Sequence, residues 1–192
     1  MWSATAEELQ GQPTTLNRQE ADAMSSADLA TSPSTPATAG MRWLADQTRD
    51  PEAAQAKWPA GRTVAVPVGA ALVAVRVLND RLGRAVFHAL QAQAPHLLGP
   101  VISNQGIGAV EFLTAPRPAV WMGQGAALLD GNRDSTRYVQ CPPLDLLASG
   151  RRWLNAPRSA PGAGLLLTDP LLLSRALAVA RDQFARVGYP IT

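Results

Sequence analysis

The run ALVAVRVL, residues 71–78, constrains the fold more than any other stretch of the chain. Apart from Arg76, every side chain in it is apolar, on both parities of an extended strand. It reads as a buried central strand. A central strand needs neighbours on both edges, and helices or loops to cover its faces.

Those neighbours are legible nearby. RTVAVPV, residues 62–68, alternates as a strand does, but Pro67 confines it to an edge or a strand end. GPVISNQGIGAVEFLTAP, residues 99–116, reads as a hairpin with arms at 101–103 and 109–113, its turn rich in glycine. Short strands are also expected at 126–129, 138–141 and 153–154. Three helices have start signals. Asp50 precedes Pro51 and Glu52, opening a helix that ends near Trp58. Asn79 or Asp80 caps a helix running to about Gln93, with Leu82, Val86 and Leu90 on one face beside Phe87. Gly83 weakens that helix slightly. Asp169 and Pro170 open a last helix that runs to about Val187, before Gly188 and Pro190, and Leu172, Ala176, Val179 and Ala180 trace its apolar face. The expected class is α+β, a small mixed or antiparallel sheet covered by helices.

Composition narrows the function classes. Aromatic residues are 5% and charged residues 17%, so the core is mostly aliphatic. Lys57 is the only lysine among 17 basic residues, and the arginine forks that dominate suit phosphate and carboxylate. Cys141 is the only cysteine, so no internal disulfide forms. One cysteine and two histidines cannot build a standard structural zinc site, and no metal site is expected. No uncharged apolar stretch reaches the ~18 residues of a membrane span, and no basic segment followed by an apolar run opens the chain as a signal peptide does. The expectation is a cytoplasmic protein with no membrane partner.

Residues 1–40 differ from the rest. Arg18 stands alone there against Glu7, Glu8, Glu20, Asp22 and Asp28, whereas the remainder is net basic. TSPSTPATAG, residues 31–40, buries too little apolar surface to offset chain entropy. The expected division is a disordered acidic leader at 1–40 and one domain at 41–192, with Met24 and Met41 as alternative starts.

Two tracts carry a resemblance. LLDGNRDSTRYVQCPPL, residues 128–144, is followed by RRWL, residues 151–154, and TRDPEAAQAKWP, residues 48–59, precedes both. Together with the order of elements they resemble the primase/polymerase N-terminal domain of the archaeo-eukaryotic primase superfamily, in its short single-domain form. The resemblance covers about residues 41–187. It implies a primase-polymerase-like fold with an RRM-like core, and nucleotide transfer on one sheet face. In such chemistry carboxylates hold two divalent ions at the attacking and leaving oxygens. The family presents them as Asp-x-Asp on one strand, which sends both to one face. Here those positions correspond to Arg76 and Leu78, and neither can ligate magnesium. The family's triphosphate-contacting histidine corresponds to Ala109; His88 and His96 lie elsewhere, in a helix and a loop. Asp130 corresponds to a remaining acidic position and is the weak catalytic candidate; a turn aspartate before Gly131 explains it as well.

The resemblance therefore implies a degenerate active site: a primase/polymerase-like domain without polymerase activity. It retains nucleotide or nucleic-acid binding through Arg62, Arg76, Arg133, Arg137, Arg151 and Arg152. No cofactor is expected. One alternative is a protein-interaction or regulatory module that meets a partner through its acidic leader. Another is an active nucleotidyltransferase, which alone would require magnesium. Trp43, Trp58, Trp121 and Trp153 could stack on bases but suit core packing better.

Overall fold

The computed structural model describes residues 36–116, 125–131, 137–160 and 164–189. Its elements, in chain order, are α1 (Pro36–Asp46), α2 (Pro51–Lys57), β1 (Val64–Pro67), β2 (Val73–Val77), α3 (Asp80–Gln93), β3 (Val101–Asn104), β4 (Ala109–Thr114), β5 (Ala126–Leu129), β6 (Tyr138–Cys141), β7 (Arg151–Asn155), β8 (Ser159–Ala160), β9 (Gly164–Leu165) and α4 (Pro170–Arg186). The class is α+β. Five strands form an antiparallel sheet in the order β5-β2-β4-β3-β7. β2 pairs on both edges, with β4 and with β5, as its apolar run requires.

Period-two alternation gives the sheet two different faces. Val75, Val77, Val101, Val110 and Phe112 point to one face, where Leu82, Val86 and Leu90 of α3 and Leu173, Leu177 and Ala180 of α4 bury them. Ala74, Ile102 and Leu113 point to the other. They meet Met41, Leu44 and Ala45 of α1, Ala54 of α2 and the neighbouring Trp58, and the inward residues of β1 and β6. Among the described residues β1 and β6 pair only with each other, as an antiparallel ribbon separate from the main sheet. The sheet thus lies between a two-helix layer and a mixed layer of helices and ribbon.

The expected caps form. Asn79 Oδ1 accepts from the Leu82 amide at 3.0 Å, so Asn79 is the cap and Asp80 is free to pair with Arg84 at 2.7 Å. Asp50 Oδ1 accepts from the Ala53 amide at 3.0 Å. Asp169 Oδ1 accepts from Leu171 and Leu172. Gly83 has a packing reason: a Cβ there would stand 2.5 Å from the Val110 Cβ, so its absence lets α3 sit close on β4.

Three expectations are corrected. Residues 36–40, expected as leader, are helical. α1 starts at Pro36, Met41 is buried in its middle, and Gly40 abuts the Pro157 carbonyl too closely for a Cβ. Packing on the core, not local propensity, makes this helix. The leader from 1 to 35, and Met24 within it, lie outside the described residues. The apolar face of α4 centres on Leu173, Leu177 and Ala180, and Val179 is exposed. Leu172 and Ala176 flank that face half-buried. The strand expected at 153–154 is β7, which starts at Arg151, and this changes how the arginine pair is read below. No helix among the described residues is long and apolar enough to cross a membrane.

Candidate functional site

One end of the ribbon-covered sheet face is polar. Arg76 on β2 lies directly opposite Glu111 on β4, and the Arg76 Nε donates to Glu111 Oε1 at 2.9 Å. Glu111 is 1% exposed and the Arg76 side chain 22%. The same carboxylate oxygen accepts from Asn104 Nδ2 of β3 at 3.3 Å. Asn104 stands opposite Arg151 of β7 in the ladder. Three strands therefore deliver Arg76, Glu111 and Asn104 to one spot, and a fourth brings Arg151 beside them.

A tight turn positions Arg151. Ala148 and Arg151 exchange both backbone hydrogen bonds at 2.9 Å across Ser149 and Gly150, both at positive φ (50° and 70°). Two central residues at positive φ match the twist of a two-residue hairpin. The Gly150 carbonyl also accepts from the Gln105 amide at 2.8 Å, tying this turn to the glycine turn of the β3–β4 hairpin. Arg151 Nη1 donates to the Ser149 carbonyl at 3.2 Å.

The network is not closed. Asn104 Oδ1 and Arg151 Nε are both buried, and neither has a hydrogen-bond partner among the described residues. An open buried acceptor beside an open buried donor costs about 1–3 kcal/mol for each group left unsatisfied. This is the kind of capacity that a water molecule or a polar ligand fills.

Cys141, the last residue of β6, closes the site from above. Burial pushes its thiol well above the ordinary value; Glu111 adds to the rise and Arg151 opposes it. The thiol is thus a neutral, inert wall of the site. β6 stops there because Pro142 and Pro143 cannot donate to a ladder. The turn they begin is fixed by two indoles. Trp58 Nε1 donates to the Cys141 carbonyl at 3.2 Å, and Trp153 Nε1 donates to the Pro142 carbonyl at 2.9 Å. Trp58 is buried, and Trp43 and Trp153 pack half-buried against the core, so all three serve packing; Trp121 lies outside the described residues.

The arginines named from sequence do not form one patch. Arg62 and Arg137 are exposed at opposite ends of the β1–β6 ribbon, before the Val64–Cys141 pair and beside the Pro67–Tyr138 pair. Arg151 and Arg152, adjacent on β7, point to opposite faces. Arg152 is exposed and pairs in register with Ser103, whose hydroxyl accepts from Arg84 of α3 on the helical side. Arg76 is held by Glu111. Arg133 lies outside the described residues. Sequence reading missed Asn104, whose polar character on an otherwise apolar strand end was the available signal.

Arg76, Ala109 and Asp130 do not converge. Ala109 shares a face with Arg76, one step beyond the Val77–Val110 pair. Asp130 follows Leu129, which pairs with Ala74 toward the other end of β2. At about 3.3 Å per residue the five residues of β2 span roughly 13 Å, so Ala109 and Asp130 lie near opposite ends of the strand. A magnesium pair does not fit this donor set. Arg76 and Leu78 offer no oxygen ligand, and Glu111 is occupied by two donors. Among the described residues no three His, Cys, Asp or Glu side chains group closely enough to hold a metal ion. His88 and His96 are both exposed and away from this face.

No family model matches the chain, and no curated protein or solved structure matches it either.

Proposed function

We propose that this is a primase/polymerase-like domain whose nucleotidyl-transfer chemistry has been lost, and that it binds a nucleotide or single-stranded nucleic acid at the Asn104–Arg151 end of the sheet. The carrying observation is the Arg76–Glu111 pair. A guanidinium bonded at 2.9 Å to a buried carboxylate stands where the resemblance places a metal-binding acid. The centre of the face is thereby neutralised by an internal ion pair, and Arg151 is left as its cation with an open donor.

A nucleotide offers both complements. Phosphate oxygens accept from a guanidinium, and a base amino group or sugar hydroxyl donates to an Asn oxygen. Binding of this kind weakens steeply with salt, because each phosphate contact releases counterions.

The test is fluorescence anisotropy of a labelled single-stranded oligonucleotide at several salt concentrations. Arg151→Ala is expected to weaken binding about tenfold, about 1.4 kcal/mol. Arg152→Ala, on the other face, is expected to change it much less. The proposal fails if Arg151→Ala binds like the unaltered protein, or if binding is absent at low salt.

A further inference from the structure

A second feature lies outside the sheet-face site. α1, α2 and the turn after β6 enclose a cleft of about 380 Å³. Met41, Trp58 and Pro143 supply buried apolar surface, and Leu144 and Leu146 continue it outward. Clefts of ~300–1,000 Å³ lined by apolar groups with a few polar ones are the usual form of binding sites. The Trp58 indole bond to the Cys141 carbonyl holds the turn against the end of α2, and the Trp153 bond to the Pro142 carbonyl holds it against β7. The cleft is therefore built before any ligand arrives, which lowers the entropic cost of binding.

Its lining also carries opposite charges on different elements, Arg42 on α1 and Asp145 on the turn, together with Gln55 on α2. All three are exposed, and neither Arg42 nor Asp145 has an ion-pair partner among the described residues. Beyond the rim the apolar surface runs on through Leu146 and Leu147, 53% and 59% exposed.

We propose that this cleft docks an apolar peptide segment of a partner protein, flanked by an acidic residue toward Arg42 and a basic residue toward Asp145. The split rim selects a ligand with both charges, which a peptide carries more readily than a simple anion or cation. The Gln55 amide can donate to a peptide carbonyl and accept from a peptide amide. The open side at Leu146 and Leu147 suits a chain that extends past the cleft. A second copy of the protein fits less well, since two concave clefts facing across a two-fold axis leave a void. The proposal goes beyond the nucleic-acid reading and does not depend on it.

The experiment is selection of displayed short random peptides on the full chain, followed by polarisation measurements on the enriched peptides made synthetically. Enriched peptides should share an apolar core with an acidic residue on one flank and a basic residue on the other. Leu146→Asp should weaken them about tenfold or more while leaving the melting temperature unchanged, because Leu146 is exposed. The double variant Arg42→Glu, Asp145→Arg should invert the flank preference. Absence of enrichment would overturn the proposal, as would peptides that bind Leu146→Asp equally well. So would a dimer in sedimentation that Leu146→Asp dissolves, since a second copy would then be the occupant.

Discussion

Glu111 and Arg76 face each other across β4 and β2, bonded at 2.9 Å, with the carboxylate 1% exposed. The pair sits at the centre of the polar end of the sheet, and it decides what that end can do. A buried carboxylate already holding a guanidinium and an amide is a structural element. Removing one partner strands the other in a poorly solvated place.

The first prediction is therefore a mutant cycle. Arg76→Met alone should destabilise the domain by about 3–5 kcal/mol, because it leaves Glu111 uncompensated. The double variant Arg76→Met, Glu111→Leu should recover part of that loss, since apolar replacements of similar size suit a buried position while Asn104 Nδ2 loses its acceptor. Urea denaturation of the single and double variants reads the coupling directly. Glu111→Leu alone closes the cycle, and single losses that sum to the loss of the double variant would show the pair to be uncoupled.

The second concerns Gly83. Helix propensity alone favours Gly83→Ala by roughly 1 kcal/mol. The contact with Val110 at 2.5 Å opposes it and should win, so the variant is expected to be destabilised by about 1–3 kcal/mol. Adding Val110→Ala removes the Cγ2 contact at 2.7 Å but keeps the Cβ, so it should relieve the Gly83→Ala step only in part. A Gly83→Ala protein that melts higher than the original would refute the close packing of α3 on β4.

The third follows from Cys141. Its thiol titrates higher in the folded protein than its ordinary value near 9.0. The folded state thus holds the thiol proton more tightly than the unfolded state. This contribution to stability is fully present below pH 9 and declines as pH rises above it. Unfolding free energies measured from pH 7 to 10.5 should fall less steeply at the alkaline end in Cys141→Ala than in the original protein. A maleimide reagent at pH 8 should label Cys141 only after denaturant is added. Rapid labelling of the native protein would contradict its burial.

The fourth tests the loss of chemistry. With magnesium or manganese, a primed template and nucleotides, the purified protein should give no extended product. Product formation abolished by Asp130→Ala would restore the active reading and place the working acid away from the Arg76 end of β2.

The local elements were legible because their signals are local. Asn79, Asp50 and Asp169 announce helix starts, and each makes the hydrogen bond its position demands. The apolar run around Val75 announces a central strand, and Gly106 and Gly108 announce a hairpin turn. α1 was not legible. Pro36 to Gly40 have the composition of a linker, and their helix depends on Met41 and Leu44 finding a core made by distant strands.

The candidate site was half visible. Arg76 stood out as the lone charge in its strand, yet nothing in the sequence tied it to Glu111, which lies 35 residues away and meets it only through strand register. The arginine pair at 151 and 152 looked like one patch until β7 was seen to begin at Arg151, so that strand alternation sends the two side chains to opposite faces. The sequence by itself determined the helices with caps, the central strand and the hairpin, because these rest on contacts within a few residues. Only the tertiary structure decided the strand order, the separation of the β1–β6 ribbon, the pairing of Glu111 with Arg76, and the open donor and acceptor at Arg151 and Asn104. Each of those depends on which distant segments share a face, and burial of the whole core, rather than any local preference, selects that arrangement.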